Sequence, residues 1–193
     1  MLNGNRLAKC SPPGRGRQLV AKIRGAMDQS VPLYTKFSQP VYSLATQGTD
    51  APTGPTLNLL TYACPVAIKP DRCFAIGLYL GTVSHDNMKA HRRGVLQVLR
   101  PSHATLFHLL GKTSARDVNK HSAIQEAGFC LRERYGVMTL EDAASVMDIE
   151  VVSDFIPCGD HDVVICRVVN FENFSEDAND ALYTSGLRAA GYL

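Results

Sequence analysis

Gly159-Asp160-His161 places a histidine just after a glycine turn and at the head of an apolar strand pattern, Asp162 to Phe171. Imidazole changes charge near neutrality, so His161 is a candidate for work at a reacting group; the structural alternative is a turn histidine bonded to backbone. Thr82, Ser84 and Asn87 sit where a strand pattern gives way to a helix. Unpaired N–H groups and the helix dipole favour negative charge there, so these three could hold a phosphate, with ordinary capping as the alternative for Ser84. Asn58, Thr61, Tyr62 and Ala63 lie on an apolar strand pattern whose end could offer backbone amides to a flat ligand; sheet packing explains them as well. Tyr62 and Tyr79 are equally readable as core aromatics.

Other patterns point away from familiar chemistries. Gly111-Lys112-Thr113 copies the end of a phosphate-binding loop, but the upstream glycine position is Leu106 and a helix pattern precedes it. A GxGxxG fingerprint after a strand is missing, which leaves a Rossmann-type site unsupported. His85, His91, His103, His108 and His121 lack ligand spacing to carboxylates or thiols, so no metal is expected. The six cysteines show no CxxC pair and read as free buried thiols, with Cys158 and Cys166 structural. The sequon Asn173-Phe174-Ser175 has no secretory signal to serve it, and the loop Lys112 to Asp117, able in principle to close over a substrate, reads as an exposed mixed-charge loop.

These residues need strands to carry them. Val41 to Thr46, Leu57 to Cys64 and Cys73 to Leu80 read as a three-strand meander, with turn chemistry at Gln47 to Pro52 and Lys69 to Arg72. Ser84 is expected to cap a short helix over His85 to Arg93. Gly94 to Leu99 returns to strand, Ala104 to Leu110 is a helix ending at Gly111, and the chain to Ser122 reads as loop. Phe129 to Arg134 is a further strand, and Ser145 to Ile156 and Asp162 to Phe171 form a hairpin. Six or seven strands with few, short helices and no strand-helix alternation predict a mainly β fold, an antiparallel barrel rather than a doubly wound sheet.

The chain has 193 residues, 45% hydrophobic and 20% charged, which suits one domain. No apolar run approaches the roughly 18 residues of a membrane-spanning helix. Residues 1–27 hold six of the twenty basic groups and no acid. From Asp28 onward acids outnumber bases by four, which removes the case for a nucleic-acid surface. Residues 1–30 therefore read as a disordered basic segment, an organelle transit peptide with Ile23 to Met27 resembling a plastid cleavage region. A basic tail that is never removed is the alternative, and mitochondrial or cytoplasmic placement stays open beside the plastid stroma.

Taken together, Asn58 to Ala63, Leu78-Tyr79-Leu80-Gly81-Thr82-Val83-Ser84-His85-Asp86-Asn87 and Gly159 to Val168 resemble the flavin reductase-like family of FMN-binding split barrels, most closely its plant and algal branch. Ala181-Leu182-Tyr183 and Tyr192 resemble its C-terminal segment. The resemblance covers roughly residues 38–193, within a domain placed at 31–193. It implies a Greek-key split β-barrel with short peripheral helices, a homodimer, and bound FMN contacted by Asn58, Leu59, Thr61, Tyr62, Ala63, Leu78, Tyr79, Thr82, Ser84, His85 and Asn87. It also implies a catalytic role for His161 and NADH or NADPH as electron donor, with electrons passing to free flavin, a metal chelate or oxygen. A non-catalytic split barrel holding FMN or haem for storage or sensing is the alternative function. Val66-Ala67-Ile68 departs from the serine common in the family at this place, so one hydroxyl contact to flavin is in question.

Overall fold

The computed structural model describes residues 32–48 and 54–193. The basic segment 1–30, Cys10 and the middle of the turn after Thr46 lie outside the described residues. Before Ser38 there is a 3-10 turn at Leu33–Lys36. From Ser38 onward the chain is one unit built on a sheet in which β2, Thr56–Leu60, pairs with β1, Tyr42–Thr46. The order continues through β5 (Arg93–Val98), β8 (Ser145–Val151), β10 (His161–Asn173) and β4 (Cys73–Tyr79) to β3 (Ala63–Ala67). Every pairing is antiparallel, and β9, Ile156–Cys158, adds to β10.

The curl of this sheet follows from its connectivity. β2 and β3 are the two ends of a seven-strand path, yet only Thr61 and Tyr62 separate them in sequence. Laid flat, those ends would stand about 29 Å apart at roughly 4.8 Å per strand, whereas the three Cα steps from Leu60 to Ala63 reach about 11 Å at most. The sheet therefore curls until its ends meet, which makes the split barrel. The expected single strand Leu57 to Cys64 is accordingly two strands, and the expected three-strand meander is replaced by two edges meeting at a splice. Period-2 patterning could not reveal this, because the break at Thr61-Tyr62 carries no glycine, proline or charge to mark it.

Alternation along the central strands feeds two cores. Tyr42, Leu44, Leu96, Ile149 and Val151 pack on one face with Ile76, Leu78, Val164, Cys166 and Met88. Val41, Ala45, Val95, Leu99 and Val146 pack on the other with Leu106, Phe107, Leu110, Ile124, Leu140 and Leu187. Both faces of β1 are buried, so its small polar residues Ser43 and Thr46 are enclosed along with Tyr42, Leu44 and Ala45. Met88 comes from α1, Val83–His91; the second core is covered by α2 (Phe107–Gly111), α3 (Lys120–Glu126) and α4 (Thr184–Ala189) and by the hairpin of β6 (Leu131–Arg134) and β7 (Val137–Leu140).

Several element boundaries differ from expectation. The helix α1 starts two residues early because Thr82, not Ser84, is its cap: the Thr82 hydroxyl accepts from the His85 N–H at 3.2 Å. It stops before Arg92, which takes a left-handed φ of 53°, so Arg93 already belongs to β5. The helix expected at Ala104 to Leu110 is a 3-10 turn, Pro101–Leu106, running into α2. The supposed loop to Ser122 contains the start of α3, capped by Asn119. Ser145 to Ile156 breaks after Val151, where β9 leaves to pair with the head of β10. Of the thiols, Cys166 is buried as expected, but Cys64, Cys130 and Cys158 are exposed.

Candidate functional site

The splice Thr61-Tyr62, the end of β4 and the head of β10 come together around a cavity of about 340 Å³. Asn58, Leu59, Thr61, Tyr62, Leu78, Tyr79, Thr82, Ser84 and His161 all line it, so residues more than 100 positions apart in the chain share one wall. Cross-strand register explains the meeting: His161 stands opposite Tyr79, and the Gly77 N–H donates to the Tyr62 carbonyl at 2.8 Å.

One end of the cavity is the start of α1. The Thr82 hydroxyl is already engaged, accepting from His85 N–H and donating to the Tyr79 carbonyl at 2.9 Å. Ser84 differs. It is only 3% exposed, and its Oγ has no hydrogen-bond partner. A buried hydroxyl without a partner is costly, and this one lies in a cavity wall at the positive end of a nine-residue helix. Such a hydroxyl can donate to an acceptor in the cavity, and the helix dipole there favours an anionic one.

His161, in the same wall, is held by two tyrosines and a carboxylate. Its ring lies edge-on to Tyr62 and Tyr79, with centroids 5.0 and 5.1 Å away, and its Nδ1 is 2.7 Å from Asp160 Oδ1. The hydrogen bond with His161 holds the Asp160 carboxyl below the usual carboxylate range. An ionised Asp160 accepts from Nδ1–H, which leaves Nε2 as the ring nitrogen for other work. Gly77 makes room for this packing: a Cβ there would stand 3.1 Å from Tyr62 Cβ and 3.6 Å from His161 Cδ2.

Thr61, Tyr62, Gly77, Asp160 and His161 also line a second cavity of about 640 Å³. Its remaining wall is mostly apolar, with Pro40, Tyr42, Ala63, Pro65, Ala75, Ile76 and Val163, and it includes Cys64 and Cys158. His161 thus stands between a smaller, more polar chamber and a larger, mostly apolar one, and Ala63 belongs to the latter.

Two of the expected contact residues face elsewhere. His85 is buried with Nε2 2.8 Å from Asp162 Oδ2, and Lys89 Nζ reaches the same oxygen at 3.2 Å; chiefly through the hydrogen bond with His85, the Asp162 carboxyl is held below its usual range. Asn87 donates from Nδ2 to Thr46 Oγ1 and the Gly54 carbonyl, tying α1 to β1. Neither lines the polar chamber. In the loop Lys112 to Asp117, Arg116 is tied to Asp86 at 2.7 Å and to the Gly81 carbonyl.

Sequence reading missed Asp160, although it sits inside the quoted motif, and Lys120. Lys120 opens α3 and is 3% exposed; its Nζ donates to Asn58 Oδ1 at 2.6 Å. A lysine in the first turn of a helix opposes the dipole, and that misfit was the available signal.

Residues 34–191 match the model of the flavin reductase like domain. A search of curated proteins found no match. Among solved structures the chain is similar to the FMN-binding protein of Thermus thermophilus with bound 1-cyclohex-2-enone, with a TM-score of 0.65 and 18% identity over 93% of this chain and 90% of that one. It is similar to the NADH:FAD oxidoreductase of Streptomyces globisporus in complex with NAD and FAD fragments, with a TM-score of 0.64, 16% identity and 94% of each chain covered. The flavin reductase of styrene monooxygenase from Pseudomonas putida S12 aligns with a TM-score of 0.58 and 16% identity, over 72% of this chain and 83% of that one.

Proposed function

The chain belongs to the flavin reductase-like domain family, and from that premise we propose that it is an FMN-dependent oxidoreductase taking hydride from NADH or NADPH. The observation that carries the reading is the unpartnered Ser84 hydroxyl, buried in the wall of a polar chamber that His161 also lines. The residues present fit FMN on that ground: Ser84 and Thr82 at the start of α1 suit the phosphate, while Asn58, Leu59, Thr61, Tyr62, Leu78 and Tyr79 suit the ribityl chain and ring. Bound FMN would supply two-electron chemistry, accepting hydride from the nicotinamide and passing the electrons to an acceptor.

The chain's own part is positional. Tyr62 and Tyr79 fix the His161 ring between them, Asp160 fixes its tautomer, and Nε2 is left to donate or accept at the boundary of the two chambers. The apolar chamber offers space beside that boundary for the nicotinamide or the acceptor. Exposed apolar side chains on and beside β3, β9 and β10, namely Val66, Ile68, Ile156, Val169 and Phe171, support a homodimer that covers them. Plastid import directed by residues 1–30 belongs to the same proposal and rests on their composition alone.

The test is an absorbance spectrum of the full chain loaded with FMN, before and after anaerobic addition of NADPH and then NADH. A flavin spectrum that bleaches upholds the proposal. One that persists with both donors overturns the reductase reading in favour of a storage or sensing protein, and failure to take up FMN overturns the flavin site itself. Light scattering of the same sample reads the dimer, and a monomer mass refutes it.

A further inference from the structure

Lys120 is a buried cation beside the polar chamber, and packing alone does not explain its cost. It is 3% exposed and opens a helix, where the dipole disfavours a cation. Lysine stems normally carry the ammonium out to water, but here Nζ is turned inward onto Asn58 Oδ1 at 2.6 Å and the Leu110 carbonyl at 3.2 Å. Both partners are neutral, and among the described residues no carboxylate is paired with Lys120 in the ion pairs found. Burial accordingly pushes its pKa down to about 8. An apolar residue of similar volume would join α3 to β2 without that cost.

What the lysine achieves is read at Asn58. Asn58 lies on β2 in the wall of the polar chamber. An asparagine amide can present either end, and a protonated lysine can only donate. The 2.6 Å contact therefore fixes Oδ1 toward Lys120 and leaves the Nδ2 amino group for the chamber. We propose that Lys120 is a positioning residue of the cofactor site, holding the Asn58 amide so that its donor end serves an acceptor atom of the bound flavin ring. The inference rests on the FMN reading above and extends it to a residue that lies outside the chamber wall.

A double-mutant cycle tests it in the full chain: wild type, Asn58→Ala, Lys120→Met and the double variant, with FMN affinity read from quenching of FMN fluorescence. Losing one oriented hydrogen bond predicts an affinity about five-fold lower for Lys120→Met in the wild-type background. In the Asn58→Ala background the same substitution should change affinity less than about two-fold, because no amide is left to orient. Equal losses in both backgrounds would reduce Lys120 to packing and overturn the proposal. A second readout needs no cofactor: the side-chain amide resonances of Asn58 should move in Lys120→Met, and resonances left in place would also overturn it. Should Lys120→Met fail to fold, Lys120→Gln, which keeps a donor, replaces it with wild-type-like quenching as the expected result and a five-fold loss as the refuting one. Normal quenching by the wild type with uncoupled variants defeats this proposal alone, whereas no quenching by the wild type defeats the flavin reading and this proposal together.

Discussion

Ser84→Ala separates a ligand-binding hydroxyl from a structural one by the sign of two effects. The Ser84 Oγ is buried and has no partner, so the chain without ligand carries the desolvation of a hydroxyl and receives no hydrogen bond in return. That situation costs about 1–3 kcal/mol, and alanine removes it while leaving a gap no larger than one oxygen. The expected gain is about 1 kcal/mol, which for a domain of this size raises the melting temperature by roughly 2–4 °C. FMN affinity should move the other way. A hydrogen bond from Ser84 to a phosphate oxygen is charge-assisted and contributes about 1.5–3 kcal/mol, so the variant should bind FMN at least about ten-fold more weakly. The assays are calorimetric melts of the ligand-free chain and a fluorescence titration with FMN. A lower melting temperature together with unchanged FMN affinity would refute the reasoning, because it would give Ser84 a structural role and no part in the anion site.

His161→Ala should slow reduction of bound FMN by NADPH more than it weakens FMN binding, and equal fold-changes in stopped-flow reduction and in affinity would remove His161 from the chemistry. Gly77→Ala sets a Cβ 3.1 Å from Tyr62 Cβ. It should cost about 1–3 kcal/mol by overpacking, measured by urea unfolding, and most of that cost should vanish in the Tyr62→Gly background, where the opposing Cβ is gone. Burial pushes the Lys120 pKa down to about 8 in the folded chain, against 10.5 for a lysine in water, so between those values the unfolded chain binds more protons. The stability of the wild type relative to Lys120→Met should therefore rise with pH from about 8 to 10.5, by on the order of 3 kcal/mol. A flat difference across that range would show that the ammonium is not desolvated in the native state.

The barrel class and the local motifs were legible because they depend on short-range pattern. Runs of strand-forming apolar residues mark β8 and β10, and the glycine turn before His161 marks the head of a strand. What was illegible depends on pairing. Nothing in Leu57 to Cys64 shows that Thr61 and Tyr62 leave one edge of the sheet to start the other, since both halves are apolar. Thr82 and Ser84 are equally good caps by type, and only the backbone decides that Thr82 takes the role and frees Ser84 for the chamber. His85 and Asn87 share the motif with Ser84, yet helical rotation turns them toward Asp162 and Thr46. Cys158 is exposed because β9 is a three-residue strand whose three residues are all exposed, a property of the sheet's edge and not of the local sequence.

The two-residue splice between β2 and β3 makes the chamber sensitive to chain length in a way that the other loops are not. An added residue between Leu60 and Ala63 would let the two edges drift apart and would also move Tyr62 off the Gly77 N–H and away from the His161 ring. A circular permutant opened at this point would lose its closure, whereas one opened between Lys112 and Asn119, on the surface between α2 and α3, would keep it. Length variation among functional variants should therefore be excluded from the splice and tolerated in that surface loop. The same peptide link that rolls the sheet into a barrel sets the width of the chamber.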